Sequence, residues 1–407
     1  MQQAPQPIVA RQAGLRSQNL ALAASLVFAS KRPVARVDVA KATGMTRSTA
    51  SRLVDDLVAG GILIESDPIY SNKAGRPAVP LSPASRTYFG LGLEVNVSHL
   101  AARLIDLRGD LVAARDIAGD FVGSNPATVL AQVGDVALQC LAEIPAGGRL
   151  VGVQVAVPGL VDADTNHLLR APNLRWGDVD VLRELAGNGL RAIAEAPSAV
   201  MNEADCAAIL ASREAPGRNA DLDTFLYLSG EVGIGSALII EGRLARGRRG
   251  WAGEIGHTCI NPKGPRCSCG ATGCLEQYAG TTALLRAAGA RSAEELRTKL
   301  IDSDERALAA LEAASQALSL AVANACNLLD VSTIILGGDL STHADAYTPA
   351  ILAELDQRLL TRPFTSPQVL SVLPDHAAPA MGAAFVAVER LIADPAHWVP
   401  EHQPSDG

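Results

Sequence analysis

No apolar run in this chain approaches the ~20 residues that a membrane-crossing helix needs, so no membrane partner is expected. The nearest imitation is LALAASLVFA, residues 20–29, which follows Arg11 and Arg16 as the core of a signal peptide would. A patterned pair of helices comes directly after it, and cytoplasmic residence is the expectation. Repetition is missing too: nothing recurs at a solenoid period, and the one low-complexity stretch is the polar tail beyond Pro400. Cysteine is too scarce and too bunched for a disulfide framework. Three of the seven fall between Cys267 and Cys274, which points to thiolate ligands in a reducing compartment. Positive charge is short overall, with 35 Lys and Arg against 43 Asp and Glu, but the shortage is uneven. Residues 1–85 carry ten basic and five acidic side chains, a head of +5 that leaves −13 for the rest of a chain whose total is −8. A basic head on an acidic body predicts a polyanionic partner for the head alone. With 407 residues, 48% of them hydrophobic, the chain can fill two or three cores and so more than one domain.

The head contains RVDVAKATGMTRSTASRLVDDLVAGGIL, residues 36–63. Val39, Ala40, Met45, Ala50, Leu53, Val54 and Leu57 fall where two short, steeply crossed helices must touch, and Gly44 suits the turn between them. Thr46 is a natural N-cap. That places Arg47, Ser48 and Thr49 in the first turn of the second helix and Arg52 one turn on, where side chains reach base edges in a major groove. A helical hairpin with solvated polar residues is the plain alternative. ILIES and AGRPAVPL then read as a two-stranded wing, whose Arg76 either enters a narrow A·T-rich minor groove or merely occupies a turn.

Beyond Tyr88, YFGLGLEV, HLAARLID and DLVAARDIA are β patterns, a helix is expected over 126–144, and LVGVQVAV is a buried strand. The alternation continues through FLYLSG, GSALIIEG, a long helix and STIIL, an α/β body with two lobes. Taken together, VPGLVD, APNL, NEADCAA, GEVGIGSALIIEGRL, GEIGH, CSCGATGCLE and LGGDL, with AGRP in the head, resemble the ROK family of repressors, open reading frames and sugar kinases over about residues 10–395. The resemblance implies a winged helix-turn-helix over 1–85 followed by an actin-like, ribonuclease H-like body. Its first lobe would span 86–200, with a C-terminal helix of about 380–395 packing back on it. The second lobe would span 201–379 and carry a zinc loop, and 396–407 would be a polar tail.

His257, Cys267, Cys269 and Cys274 match the family's zinc signature, a closed structural site with one Zn2+ per chain. Cysteines packed as small hydrophobes are the alternative. Cys259 is the misfit, close enough to compete and not a ligand by family position. In related kinases the residues matching Glu254, His257 and Glu276 contact sugar hydroxyls, and Asn202, Glu203 and Asn173 complete the implied sugar set. Either of Glu254 and Glu276 could instead be a solvated acid.

The kinase machinery is altered. Where the kinases carry Asp-x-Gly-Gly-Thr, this chain reads Glu94-Val95-Asn96-Val97-Ser98, with side chains in the way of close phosphate approach. The base position holds Glu203, one methylene longer than the family's Asp, and a displacement of roughly 1 Å can cost on the order of 100-fold in rate. No bound nucleotide and no catalytic residue are expected. The implied function is sugar-responsive regulation of an operator in double-stranded DNA, most simply repression, by a homodimer or tetramer. A bifunctional sugar kinase with a DNA-binding head, and a regulator governed by a protein partner, stand as the alternatives.

Overall fold

A computed structural model describes residues 8–67 and 79–400. The head consists of α1 (Ile8–Ala29), α2 (Arg36–Thr43), α3 (Arg47–Ala59) and an antiparallel pair, β1 (Leu63–Glu65) with β2 (Leu81–Pro83). α2 stops at Gly44, whose φ of 71° is the left-handed corner that glycine adopts without strain. α3 starts where Thr46 Oγ1 accepts a hydrogen bond from Thr49 N at 3.1 Å. Ala50, Leu53, Val54 and Leu57, three or four apart, are its buried face. Arg76, assigned to the wing tip, lies outside the described residues.

In the body, β3 (Tyr88–Val95), β4 (His99–Asp106) and β5 (Leu111–Ala118) form an antiparallel meander. After α4 (Pro126–Leu141), β6 (Arg149–Val157) returns parallel to β3. The short strands β7 (Leu160–Val161) and β8 (Leu168–Arg170) and helices α5 (Val181–Gly187) and α6 (Ala192–Glu195) lead to β9 (Ser198–Asn202), parallel to β6. α7 (Glu203–Ala211) and a hairpin of β10 (Arg213–Ala215) and β11 (Arg218–Asn219) connect to the second lobe. There β12 (Phe225–Gly230), β13 (Ile234–Ile240) and β14 (Arg243–Leu244) form a second meander. Beyond the cysteine loop come α8 (Glu276–Ala279), α9 (Thr281–Ala288), α10 (Ala293–Ile301) and α11 (Glu305–Leu329). They are followed by β15 (Thr333–Gly338), α12 (Asp339–Thr342), α13 (Ala344–Arg358), β16 (Gln368–Ser371) and α14 (Ala378–Ala393). The sheet orders are β5-β4-β3-β6-β9 and β14-β13-β12-β15-β16. Each lobe is therefore a meander extended by two parallel strands, which is the two-lobed actin-like arrangement. α11 is long and apolar enough to cross a membrane, but Ala314, Leu318 and Val322 place it in the second-lobe core.

α14 lies across β3 and β6 and against α7, and glycine makes the approach possible. A Cβ on Gly92 would stand 1.9 Å from the Ala380 carbonyl oxygen. The head is not strung on a linker: Leu20, Phe28, Leu53 and Leu57 share one hydrophobic cluster with Tyr88, Phe385, Val388 and Ile392. One face of LALAASLVFA is thus core, with Leu20, Ala23 and Ala24 fully buried while Leu22 is exposed.

Two expected boundaries are corrected. A cut after residue 200 would split β9, because Met201 and Asn202 pair with Ala156 and Val157 in the first-lobe sheet. The tail expected from 396 starts later, because Val399 is buried, Trp398 packs edge-on against Tyr88 with ring centroids 5.5 Å apart, and Arg149 sits 4.9 Å over the Trp398 ring.

Candidate functional site

On the head, Arg47, Ser48 and Arg52 are exposed along α3 and Thr49 is half-buried. Much of the head's positive charge is already engaged. Arg16 pairs with Asp56 at 2.9 Å, and Arg36 bonds Glu65 and Asp55. Lys31 reaches Glu214 and Asp221, each at 2.6 Å, across to the β10–β11 connection of the body. Lys41, Arg47 and Arg52 are exposed on the helix pair.

Between the lobes, Asn173, Asn202, Glu203, Glu254, His257 and Glu276 line a single cleft of about 630 Å3, open to solvent. Asn173 sits on a loop pinned by the Ala171 and Trp176 backbone bridge. Glu254 and His257 flank a 3-10 turn, and Glu276 opens α8. Gly233 leaves them room, since a Cβ there would be 2.4 Å from Glu276 Oε2 and 2.8 Å from Asn173 Nδ2. Asn202 also has structural work, because its Oδ1 accepts from Ala204 N at 2.8 Å and its Nδ2 donates to Gly159 O at 3.0 Å. It caps α7 and keeps one N–H and one lone pair for a ligand.

Glu231, which the sequence reading overlooked, faces the same cleft from the β12–β13 turn. Asn96 Nδ2 donates both to Glu203 Oε2, at 3.3 Å, and to Glu231 Oε2, tying the β3–β4 turn of one lobe to the β12–β13 turn of the other. A carboxylate inside the glycine-rich hairpin SGEVGIG was the available signal. Burial, with the charges of Glu231 and Glu94, holds the Glu203 carboxyl well above the usual range. Glu231 is pushed up to about 7 by burial and by Glu94, with the Asn96 hydrogen bond opposing. Glu94 itself is fully buried, accepts from Ala380 N at 3.1 Å at the start of α14, and lies 3.2 Å from His99 Nε2. Burial thus favours the protonated form of these carboxyls, in which they donate as well as accept hydrogen bonds.

Behind the cleft, one ligand atom each from His257, Cys267, Cys269 and Cys274 lies within 4.8 Å of the others, a set that could hold a metal ion. Cys269 Sγ is 3.7 Å from Cys274 Sγ, and Cys267 Sγ is 3.8 Å from His257 Nδ1. A tetrahedron with arms of about 2.3 Å has edges of about 3.8 Å, and these two separations are close to that. Nδ1 is the nitrogen on the cysteine side; Nε2 lies 3.9 Å from Glu254 Oε2 in the cleft. Cys259 is exposed and outside the group.

The sequence pattern of the ROK family matches residues 90–390. The chain belongs to the ROK family. Among ROK relatives, the xylose repressor of Bacillus subtilis (strain 168) is 26% identical over 365 residues, which cover 88% of this chain and 92% of that protein. A crystal structure of a ROK family transcriptional regulator, described as a homolog of the E. coli MLC protein, superimposes with a TM-score of 0.76 at 22% identity, over 93% of this chain and 97% of that one. A ROK glucokinase from Streptomyces griseus, solved with glucose and AMPPNP, has a TM-score of 0.58 at 22% identity and covers 73% of this chain and 98% of that one. At that identity the two structures establish the fold.

Proposed function

We propose that this ROK protein is a sugar-responsive transcriptional regulator, a repressor of carbohydrate genes, that binds double-stranded operator DNA through Arg47, Ser48, Thr49, Arg52 and Arg76. Its cleft takes a sugar on Asn173, Asn202, Glu203, Glu254, His257 and Glu276. His257, Cys267, Cys269 and Cys274 hold one structural Zn2+, which fixes the loop that presents His257 and Glu276. The protein works in the cytoplasm as a homodimer or tetramer, with two heads on paired half-sites.

One observation carries the reading: α7 has its N-cap, Asn202, in the cleft and runs into the hairpin whose Glu214, with Asp221 just beyond it, grips Lys31 of the head. Lobe closure on sugar then moves the heads, and the sugar shifts operator affinity by its differential affinity for the two states. Kinase activity is disfavoured because Asn96, Val97 and Glu231 put side chains, one of them acidic, on the cleft where a kinase must leave backbone open to phosphates. The test is release of zinc-loaded protein from duplex DNA of its own upstream region on adding sugars, with thermal unfolding in parallel. A ligand at 100 times its Kd should add about 2.7 kcal/mol of stability. If no sugar changes either readout, the reading is wrong. Sugar-dependent ATP consumption that Glu203→Gln abolishes would instead establish the kinase.

A further inference from the structure

Cys259 lies beside the four metal donors and outside their set, and its backbone runs antiparallel to that of Cys274. Ile260 N donates to Gly273 O at 2.7 Å, and Leu275 N donates to Thr258 O at 2.9 Å. Those two bonds flank Cys259 and Cys274 without joining them. The two are therefore a non-hydrogen-bonded antiparallel pair, the closer kind, with Cα atoms about 4.5 Å apart and side chains on the same face. A disulfide needs Cα atoms roughly 4.4–6.8 Å apart, so this pairing suits a cross-strand bond.

The register of the pair is fixed by the loop between its strands. Gly273 N donates to Pro265 O at 2.8 Å, and Gly264 N donates to Asn261 O at 2.8 Å. A Cβ on Gly273, whose φ is 76°, would collide with the Asn261 carbonyl, and Arg266 pairs with Thr272 at the far end. A one-residue slip would break this packing and part the two cysteines. The thiols differ in access: Cys259 is exposed, whereas Cys274 is fully buried. An oxidant in solution meets Cys259 first, with a resolving partner directly opposite.

We infer that Cys259 and Cys274 are a redox pair that a peroxide closes into a disulfide, dismantling the metal site. The Cys259 thiolate attacks one oxygen of the peroxide; the O–O bond breaks, hydroxide leaves and Cys259 becomes a sulfenic acid. Cys274 Sγ then attacks the sulfenic sulfur, so that the S–S bond forms as the S–O bond breaks and a second hydroxide leaves. The two sulfurs give up two electrons and the two peroxide oxygens take them. His257, Cys267 and Cys269 are then three donors where a closed site needs four. The inference rests on the four donors holding zinc. It gives the loop a second role, because the segment that presents His257 and Glu276 loses its fastening when Cys259 is oxidised. Transient disulfides of this kind are the sensing ones in a reducing compartment.

The test is oxidation of the full, reduced, zinc-loaded chain with stoichiometric hydrogen peroxide. Zinc release is followed with a chromogenic zinc indicator, and the alkylated, unreduced tryptic digest is read by mass spectrometry. Trypsin cuts after Arg249, Lys263, Arg266 and Arg286, which leaves Cys259 on peptide 250–263 and the three cysteine donors on peptide 267–286. The expected result is a cross-link between these peptides, placed at Cys274 by fragmentation, with about one zinc released per chain. A thiol reductant with added zinc should reverse both. Cys259→Ser should hold the same zinc and show neither cross-link nor release at that dose. A bond confined to peptide 267–286, release unchanged in Cys259→Ser, or thiols that stay reduced as the dose rises would overturn the pair. Zinc content before oxidation separates the two readings: a chain that holds none overturns the metal site, and the cross-link still decides the pair.

Discussion

Asp205, on α7, is 5% exposed and has no hydrogen-bond or ion-pair partner among the described residues. Burial pushes its carboxyl from 3.8 up to about 7, with the Arg246 guanidinium opposing and Glu254 adding to the rise. An acid whose folded pKa lies above its unfolded value keeps its proton in the folded protein while the unfolded chain has lost its own. Folding stability therefore falls as pH climbs from about 4 to about 7 and levels off above. At 1.36 kcal/mol per pKa unit the loss is about 4 kcal/mol. Asp205→Asn keeps the shape and removes the titration. The variant should match the parent near pH 4 and exceed it by up to about 4 kcal/mol at pH 8. The Tm shift per kcal/mol shrinks as a chain grows, from about 2–4 °C at 150–250 residues, so in this 407-residue chain the variant should melt several degrees higher at pH 8. The assay is thermal unfolding of both proteins from pH 4 to pH 8 at fixed zinc, reading only their difference. A difference independent of pH, or a variant less stable at pH 8, would refute the assignment of a buried, unpaired carboxyl.

Gly92→Ala would drive a methyl group into the Ala380 carbonyl, and neither β3 nor α14 can yield; a loss of about 3 kcal/mol or more, read by denaturant unfolding, is expected. Chelation should lower Tm and release about one zinc per chain, and Cys274→Ser, at the fully buried ligand, should reproduce the loss without chelator. Lys31→Ala removes a solvent-exposed clamp, so the melting temperature should barely move. The sugar-induced change in operator affinity should nonetheless shrink in a DNA titration, since that clamp joins the head to the α7 hairpin.

What could be read in the sequence was what lies close together along it. Gly44 and Thr46 mark a turn and a cap with three residues of context, and the four metal donors sit within 18 residues, so spacing alone carries their geometry. The six cleft residues were legible through the family resemblance, because each falls in a short motif. The Asn96 bridge to Glu231 was not, since 135 residues separate its ends and neither end has a local signature. Trp398 was taken for tail because its partners, Tyr88 and Arg149, are some 250 to 310 residues away. The union of head and body in one cluster was hidden likewise: α1 shows an apolar stripe but not whose surface it meets.

α14 is among the last elements to be made, yet the buried faces of α1 and α3 share its core. While the chain is being synthesised, the apolar undersides of α1 and of the first-lobe sheet stay open until residues 378–399 have left the ribosome. At ~5–20 residues per second, the roughly 300 residues between head and α14 take about 15–60 s. A message broken anywhere in that interval yields a chain with an uncovered seam and an unseated α2–α3 pair. Truncated products of that kind are expected to be cleaved by proteases before they could act as head-only fragments.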